Sequence, residues 1–158
     1  KTNKEKLKKA LMEDEIETQF VKGYKDALIL TERKNVFRTQ AFKDGLFEVQ
    51  DASSQLVAEF LEVKAGMRVV DACAGAGGKA LHLAALMENK GQIIALDISQ
   101  NKLDALKKRA ARGDAQNIET RLIENEKSIK CRSNDVCCSC TRSRGRTYSV
   151  CDDVFGYE

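Results

Sequence analysis

The 158-residue sequence contains no proline, a single histidine and only 6% aromatic residues. Without proline, no turn can be set by a locked φ, so chain reversals fall to glycine and to short polar residues. The one histidine, His82, lies in an apolar helical stretch and reads as a packing or surface residue rather than a catalyst. No apolar run reaches the roughly twenty residues that a membrane helix needs, and the first residues are charged throughout, unlike a secretory leader. We therefore expect a cytoplasmic protein with no membrane partner. Of six cysteines, Cys73 lies in a glycine-rich stretch and the other five fall after residue 130, which is not the spacing of a disulfide framework.

A 42% hydrophobic content at this length supports one domain with a sizeable core and at most a small appendage. The formal charge is only +3 but is unevenly placed. Lys1, Lys4, Lys6, Lys8 and Lys9 crowd the start, and Lys130, Arg132, Arg142, Arg144 and Arg146 crowd the end. Basic ends suit a polyanion such as RNA, and they equally suit solvated termini.

The chain is organised around Met67–Leu83, MRVVDACAGAGGKALHL. Val69, Val70, Ala72 and Cys73 read as a buried strand that runs into a loop with Gly75, Gly77 and Gly78, then into a helix carrying Lys79. Glycines let backbone N–H groups approach a ligand with no Cβ in the way, and the helix start adds unpaired N–H groups at the same point. The next strand, QIIALDI, ends at Asp97, about twenty residues beyond the glycines, where an acid can accept hydrogen bonds from ribose hydroxyls. Loop and acid together make a nucleoside site. Gly75, Gly77 and Ala80 also satisfy the G-x-G-x-x-G/A pattern of NAD enzymes. Asp71 beside the loop leans the other way, because a carboxylate suits a cationic, phosphate-free ligand. S-adenosylmethionine is the favoured cofactor, and NAD stays open.

From Met67 onward the order is strand, helix, strand, helix, strand, ending in IETRLI, which demands a parallel sheet with crossover helices. Asp71, Asp97 and Glu124 then fall at the carboxyl ends of the three strands, where such sheets bind ligands. Upstream, residues 1–15 read as an amphipathic helix. IETQFVKG and DALILTE read as two strands with Ile16, Phe20, Leu28 and Leu30 inward. A short strand through Phe47 and Val49 should precede a helix that Asp51 or Ser53 caps and that buries Leu56, Val57, Phe60 and Leu61. After Lys130 no strand of useful length is legible, which suggests a chain that stops early or is read out of frame. Cys131, Cys137, Cys140 and Cys151 could furnish zinc ligands, but the irregular spacing argues against it, and we assign no metal.

The expected architecture is thus α/β. A small α+β module occupies residues 1–45, a Rossmann-like domain with an incomplete parallel sheet residues 46–128, and an irregular, disordered Cys/Arg/Ser-rich tail residues 129–158.

Two linked motifs carry a resemblance. LFEVQDASSQLVAEFLEVKAG (Leu46–Gly66) and DACAGAGGK (Asp71–Lys79), in this order and spacing, are similar to the RNA cytosine-C5 methyltransferases of the Sun/RsmB (ribosomal RNA small-subunit methyltransferase B) family. The resemblance implies a Rossmann-like fold, S-adenosylmethionine as cofactor and RNA, ribosomal RNA in particular, as partner. It places the cofactor loop on Cys73, Ala74, Gly75, Ala76, Gly77, Gly78 and Lys79, the ribose-binding acid on Asp97, and an acid near the adenine on Glu124. Ala76 and Ala65 stand where the family commonly has proline. In the family a cysteine thiolate adds to carbon 6 of cytosine so that carbon 5 can attack the sulfonium methyl. Two cysteines do this work, in an Asp-Ala-Pro-Cys-Ser-Gly motif and a later Thr-Cys motif. The second is absent here, and Asp135, Val136, Cys137, Cys138, Ser139 and Cys140 only echo the first. No catalytic residue is therefore assigned. The expectation is a methyltransferase fragment that holds its cofactor without turnover; the alternatives are an NAD-binding oxidoreductase fragment and a non-catalytic RNA-binding module.

Overall fold

The computed structural model describes residues 1–125 and 135–138. The chain packs as two units, Lys1–Ala52 and a second that starts at Ser53. The expected boundary after residue 45 thus moves to Ala52, because Leu46 and Phe47 pack into the first core.

In the first unit, helix α1 (Lys4–Glu13) begins where the Asn3 side chain accepts the Lys6 N–H at 2.9 Å. This satisfies one of the donors a first helical turn leaves open. Leu7 and Leu11, one turn apart, bury against Ile16, Val36 and Ala41. Strands β1 (Thr18–Phe20) and β2 (Leu28–Leu30) pair antiparallel, Thr18 opposite Leu30 and Phe20 opposite Leu28. A 3-10 turn (Val36–Arg38) and the short helix α2 (Gln40–Lys43) follow. Thr39 joins these two: its hydroxyl donates to the Val36 carbonyl at 2.7 Å and accepts the Phe42 N–H at 3.2 Å.

Two expectations fail in this unit. Phe20 is 48% exposed rather than inward, and Thr18 takes the buried place in β1. The Phe20 ring instead meets the ammonium groups of Lys4 and Lys8, 5.4 and 4.9 Å from its centroid. No strand forms through Phe47 and Val49. Phe47 is held edge-on by the Phe42 ring, with centroids 5.5 Å apart, and Val49 is exposed.

The second unit starts within α3 (Ala52–Phe60), whose phase differs from expectation. Ala58 enters the core with Leu61 and Val63 beyond it. Leu56 and Phe60, two residues to either side of Ala58, lie about 200° round the helix from it. Both are exposed, Phe60 at 86%.

The sheet follows as β3 (Arg68–Asp71), α4 (Gly78–Leu86), β4 (Gln92–Asp97), α5 (Gln100–Gly113) and β5 (Ile118–Leu122). Ala72 and Cys73, expected within the first of these strands, already belong to the turn after it. A further strand, β6 (Val136–Cys138), corrects the expectation that none follows Lys130. It pairs parallel with β3, Val69 opposite Val136 and Asp71 opposite Cys138, giving a four-stranded order β5-β4-β3-β6. Within this sheet every pair is parallel. Val69, Ile93 and Ala95 face a core shared with Ala58, Leu83, Met87, Leu106 and Ala110. Val70, Ile94 and Leu96 form a second buried cluster. The alternation along β3 and β4 is that of strands buried on both faces.

A chain of polar side chains crosses all four strands. Arg68 forms an ion pair with Asp135, and its Nε donates to Gln92 Oε1 at 3.2 Å. Gln92 Nε2 donates to Glu119 Oε2 at 2.8 Å, and Arg121 Nε donates to Glu119 Oε1 at 2.7 Å.

Residues 126–134 and 139–158, and with them all but 135–138 of the expected tail 129–158, lie outside the described residues. That leaves the zinc reading, which needs Cys131, Cys140 and Cys151, outside them as well.

Candidate cofactor site

Strand β3 delivers the chain to Asp71 at the carboxyl edge of the sheet, and the turn Ala72–Gly77 returns it into α4. The turn is pinned from several sides. The Ala74 N–H donates to the Leu96 carbonyl at 2.9 Å, and the Gly75 N–H donates to Asp97 Oδ2 at 2.9 Å. The Gly77 N–H donates back to the Ala74 carbonyl at 2.9 Å. From helix α5, Arg109 Nη1 donates to the Ala76 carbonyl at 2.7 Å.

The glycines serve different ends. Gly77 has φ +90°, and a Cβ there would stand 2.5 Å from Leu106 Cγ on α5. It is required by the protein's own packing. Gly78, the first residue of α4, has no positive φ and nothing within 4 Å of where its Cβ would be. The fold does not need glycine there. Its N–H sits at a helix start, where no intrahelical acceptor exists, and the missing Cβ opens backbone to an incoming ligand. The space beside Gly75 is likewise open, at φ +55°.

Asp97 is almost wholly buried, and each carboxylate oxygen accepts a backbone N–H: Oδ2 from Gly75 and Oδ1 from Ser99 at 2.9 Å. It ties the glycine turn of β3 to the turn that starts α5. The Ser99 contact has no signature in the sequence, because its donor is a main-chain group.

Asp71 is placed differently from expectation. It is 1% exposed, so it forms the wall behind the loop rather than facing a ligand. Its Oδ1 accepts the Cys73 N–H at 3.4 Å, and the Ala80 N–H also lies toward the carboxylate. Burial pushes its pKa up to about 6, against the lowering effects of the Cys73 N–H and the Lys79 charge. At neutral pH it remains largely a carboxylate and acts on the loop by charge through space.

Of the remaining expected residues, Cys73 and Ala76 are exposed, Ala74 is buried and Lys79 is half-buried. Glu124 is exposed, two residues beyond Leu122, which pairs with Asp97. The carboxyl ends of β3, β4 and β5 thus bring Asp71, Asp97 and Glu124 to one edge of the sheet, with only Glu124 open to solvent. The Asp135–Cys140 echo is not upheld by the strand register. A motif at a strand's carboxyl end would carry its acid beyond Cys138, whereas Asp135 precedes Val136 and pairs with Arg68 at the opposite end. Arg109, which backs the loop together with Leu106, was not foreseen. Their spacing of three on α5 marks a shared face, but Arg109 acts on a carbonyl, which side-chain patterns do not reveal.

A family profile described as 16S rRNA methyltransferase RsmB/F matches residues 58–146, more than half of the chain. The chain belongs to this family. Over 74 residues it is 45% identical to the Bacillus subtilis protein named Probable ribosomal RNA small subunit methyltransferase B, matching 47% of this chain and 17% of that one. It is 39% identical over 80 residues to a tRNA (cytosine(72)-C(5))-methyltransferase of Pyrococcus horikoshii, 51% of this chain and 21% of that one. The chain thus spans about a fifth of the length of these relatives. Among solved structures, a methyltransferase homologue from Pyrococcus horikoshii superimposes with a TM-score of 0.68 at 32% identity, covering 74% of this chain and 39% of that one. NSun6 from the same organism, solved with SFG, gives 0.58 at 32% identity, covering 65% and 28%. The RsmB/F family is one of S-adenosylmethionine-dependent methyltransferases, and the parallel sheet with a small antiparallel α+β part before it is shared with these structures. Among the described residues, no helix is long and apolar enough to cross a membrane.

Proposed function

We propose that this chain is the cofactor-holding part of an S-adenosylmethionine-dependent RNA cytosine-C5 methyltransferase acting on ribosomal RNA, and that it binds the cofactor without completing methyl transfer. The observation that carries the reading is Gly78: open space where a Cβ would be, at a helix start, one residue beyond a turn fixed by Asp97 and Arg109. Backbone N–H groups there donate to the cofactor's carboxylate, and Cys73 to Lys79 line it. Asp97 lies where the ribose hydroxyls are held, and Glu124 lies beside the adenine. The bound cofactor supplies a methyl group on a sulfonium, and the charge of Asp71 behind the loop favours that cation. The absence of a Thr-Cys pair in the 158 residues supports the lack of turnover, since nothing identified supplies the thiolate that activates cytosine. The two relatives above act, by name, on ribosomal RNA and on tRNA; the higher identity to the first favours ribosomal RNA.

In the first unit, the Lys4 and Lys8 ammonium groups at the exposed Phe20 ring support an RNA-contacting role. Isothermal calorimetry with S-adenosylmethionine and with NAD tests the whole reading. The expected result is binding of the first alone. NAD binding alone would favour an oxidoreductase fragment. A salt-dependent RNA shift with neither cofactor bound would favour an RNA-binding module. Methylation of ribosomal RNA by this chain itself would overturn the lack of turnover.

A further inference from the structure

The loop's crest is the peptide between Ala76 and Gly77. It is flanked by Gly75 at φ +55° and closed by Gly77 at φ +90°, the two most permissive residues in the turn. Glycine loses more conformational freedom on ordering than any other residue, so a peptide between two of them keeps its orientation only if something outside the turn holds it. No proline stiffens position 76.

Helix α5 provides the hold. Arg109 Nη1 reaches across to the Ala76 carbonyl at 2.7 Å, while the N–H of the same peptide, on Gly77, donates to the Ala74 carbonyl at 2.9 Å. Both polar ends of one peptide are thus occupied, one by a charged donor from another element. One helical turn earlier, Leu106 fills the space behind Gly77 so closely that a Cβ would stand 2.5 Å from its Cγ. A flip of this peptide would break the guanidinium bond and turn its carbonyl against the Ala74 carbonyl that the Gly77 N–H now meets, so the turn leading into α4 would have to rearrange.

We propose that Arg109 is a positioning residue of the cofactor site: its hydrogen bond to the Ala76 carbonyl fixes the crest peptide, and so keeps the N–H groups at the start of α4 directed at the cofactor. The proposal rests on the S-adenosylmethionine reading above. It assigns α5, which supplies no residue of the expected site, the task of bracing that site.

The test uses the full chain with Arg109→Ala, Arg109→Lys, and Lys108→Ala as a neighbouring exposed control on the same helix. In the absence of cofactor, hydrogen exchange at the Gly77 amide is expected to quicken about tenfold in Arg109→Ala, with the core amides of β3 and β4 unchanged. S-adenosylmethionine binding by calorimetry is expected to weaken about tenfold in Arg109→Ala and less in Arg109→Lys, which keeps the charge but offers no planar fork. Lys108→Ala should match wild type in both. Unchanged exchange at Gly77, or wild-type affinity in Arg109→Ala, would overturn the proposal. Should Arg109→Ala fail to fold, Arg109→Lys carries the same two readouts. If wild-type protein does not bind S-adenosylmethionine, the cofactor reading fails by itself, and the exchange measurement still decides whether Arg109 braces the loop.

Discussion

Arg68, the first residue of β3, is ion-paired with Asp135, the residue immediately before β6, and the Asp135 side chain is almost wholly buried. β6 contributes only three residues to the sheet, so this pair is a large share of what fastens it. Arg68→Ala removes the cation paired here with a buried carboxylate and is expected to cost about 3 kcal/mol. The loss should be read in urea unfolding and in faster amide exchange at Val136. The double variant Arg68→Met with Asp135→Leu should regain most of it, since replacing both charges with apolar groups removes the desolvation cost. A double variant as unstable as the single would mean that the charge itself, rather than the fit, holds β6.

Gly77 and Gly78 should separate folding from binding. Gly77→Ala meets Leu106 and a left-handed backbone, and is expected to lose roughly 2 kcal/mol, read as a lower melting temperature. Gly78→Ala meets open space at an ordinary φ and should hold or slightly raise stability, by about 0.5 kcal/mol, while weakening S-adenosylmethionine binding. Equal melting losses in the two variants would refute the distinction.

Asp71 should make stability depend on pH in a defined direction. Burial raises its pKa from 3.8 to about 6 in the folded chain, so the native state binds more protons than the unfolded one between these values. Its contribution is fully present below about pH 4 and is lost as pH rises through about 6. Asp71→Asn should flatten that slope and be more stable than wild type at pH 7, by up to about 3 kcal/mol. Urea unfolding of both proteins at pH 4 and pH 7 measures this.

The same substitution should discriminate between ligands. Asp71→Asn is expected to weaken S-adenosylmethionine, which carries a sulfonium charge, more than S-adenosylhomocysteine, which does not. Calorimetry with both ligands would show equal losses if Asp71 acts only by shaping the loop.

Phe60→Ser is expected to leave stability within about 0.5 kcal/mol of wild type, because the ring is 86% exposed. A melting loss of the size seen for core truncations would restore the inward placement expected from the sequence.

The parts of the fold legible in the sequence are those where periodicity and burial agree. VVD and IIALD are apolar runs ending in acids, and both form strands of the parallel sheet as expected, while Leu103, Leu106 and Ala110, repeating at helical spacing, are the buried residues of α5. Where a short segment offers several apolar residues, the pattern did not choose among faces. In α3, Ala58 rather than Leu56 or Phe60 faces the core, a choice of phase that the run of apolar residues did not specify. In β1, Phe20 at the strand end was drawn to two ammonium groups rather than to the core. β6 was missed because three residues carry no period, and its existence depends on β3 lying open beside it. The candidate loop was legible from its glycines, yet the partners that fix it, Ser99 N–H, Leu106 and Arg109, act through main chain or through space filled on another element.

The strand order carries a consequence for biosynthesis. The glycine turn, its brace on α5 and the tie to Asp97 are all encoded before residue 123, whereas β6 must travel back past β4 to join β3 on its far side. As the chain leaves the ribosome, the glycine turn and the residues that pin it emerge first, and β6 arrives after them to pair with β3.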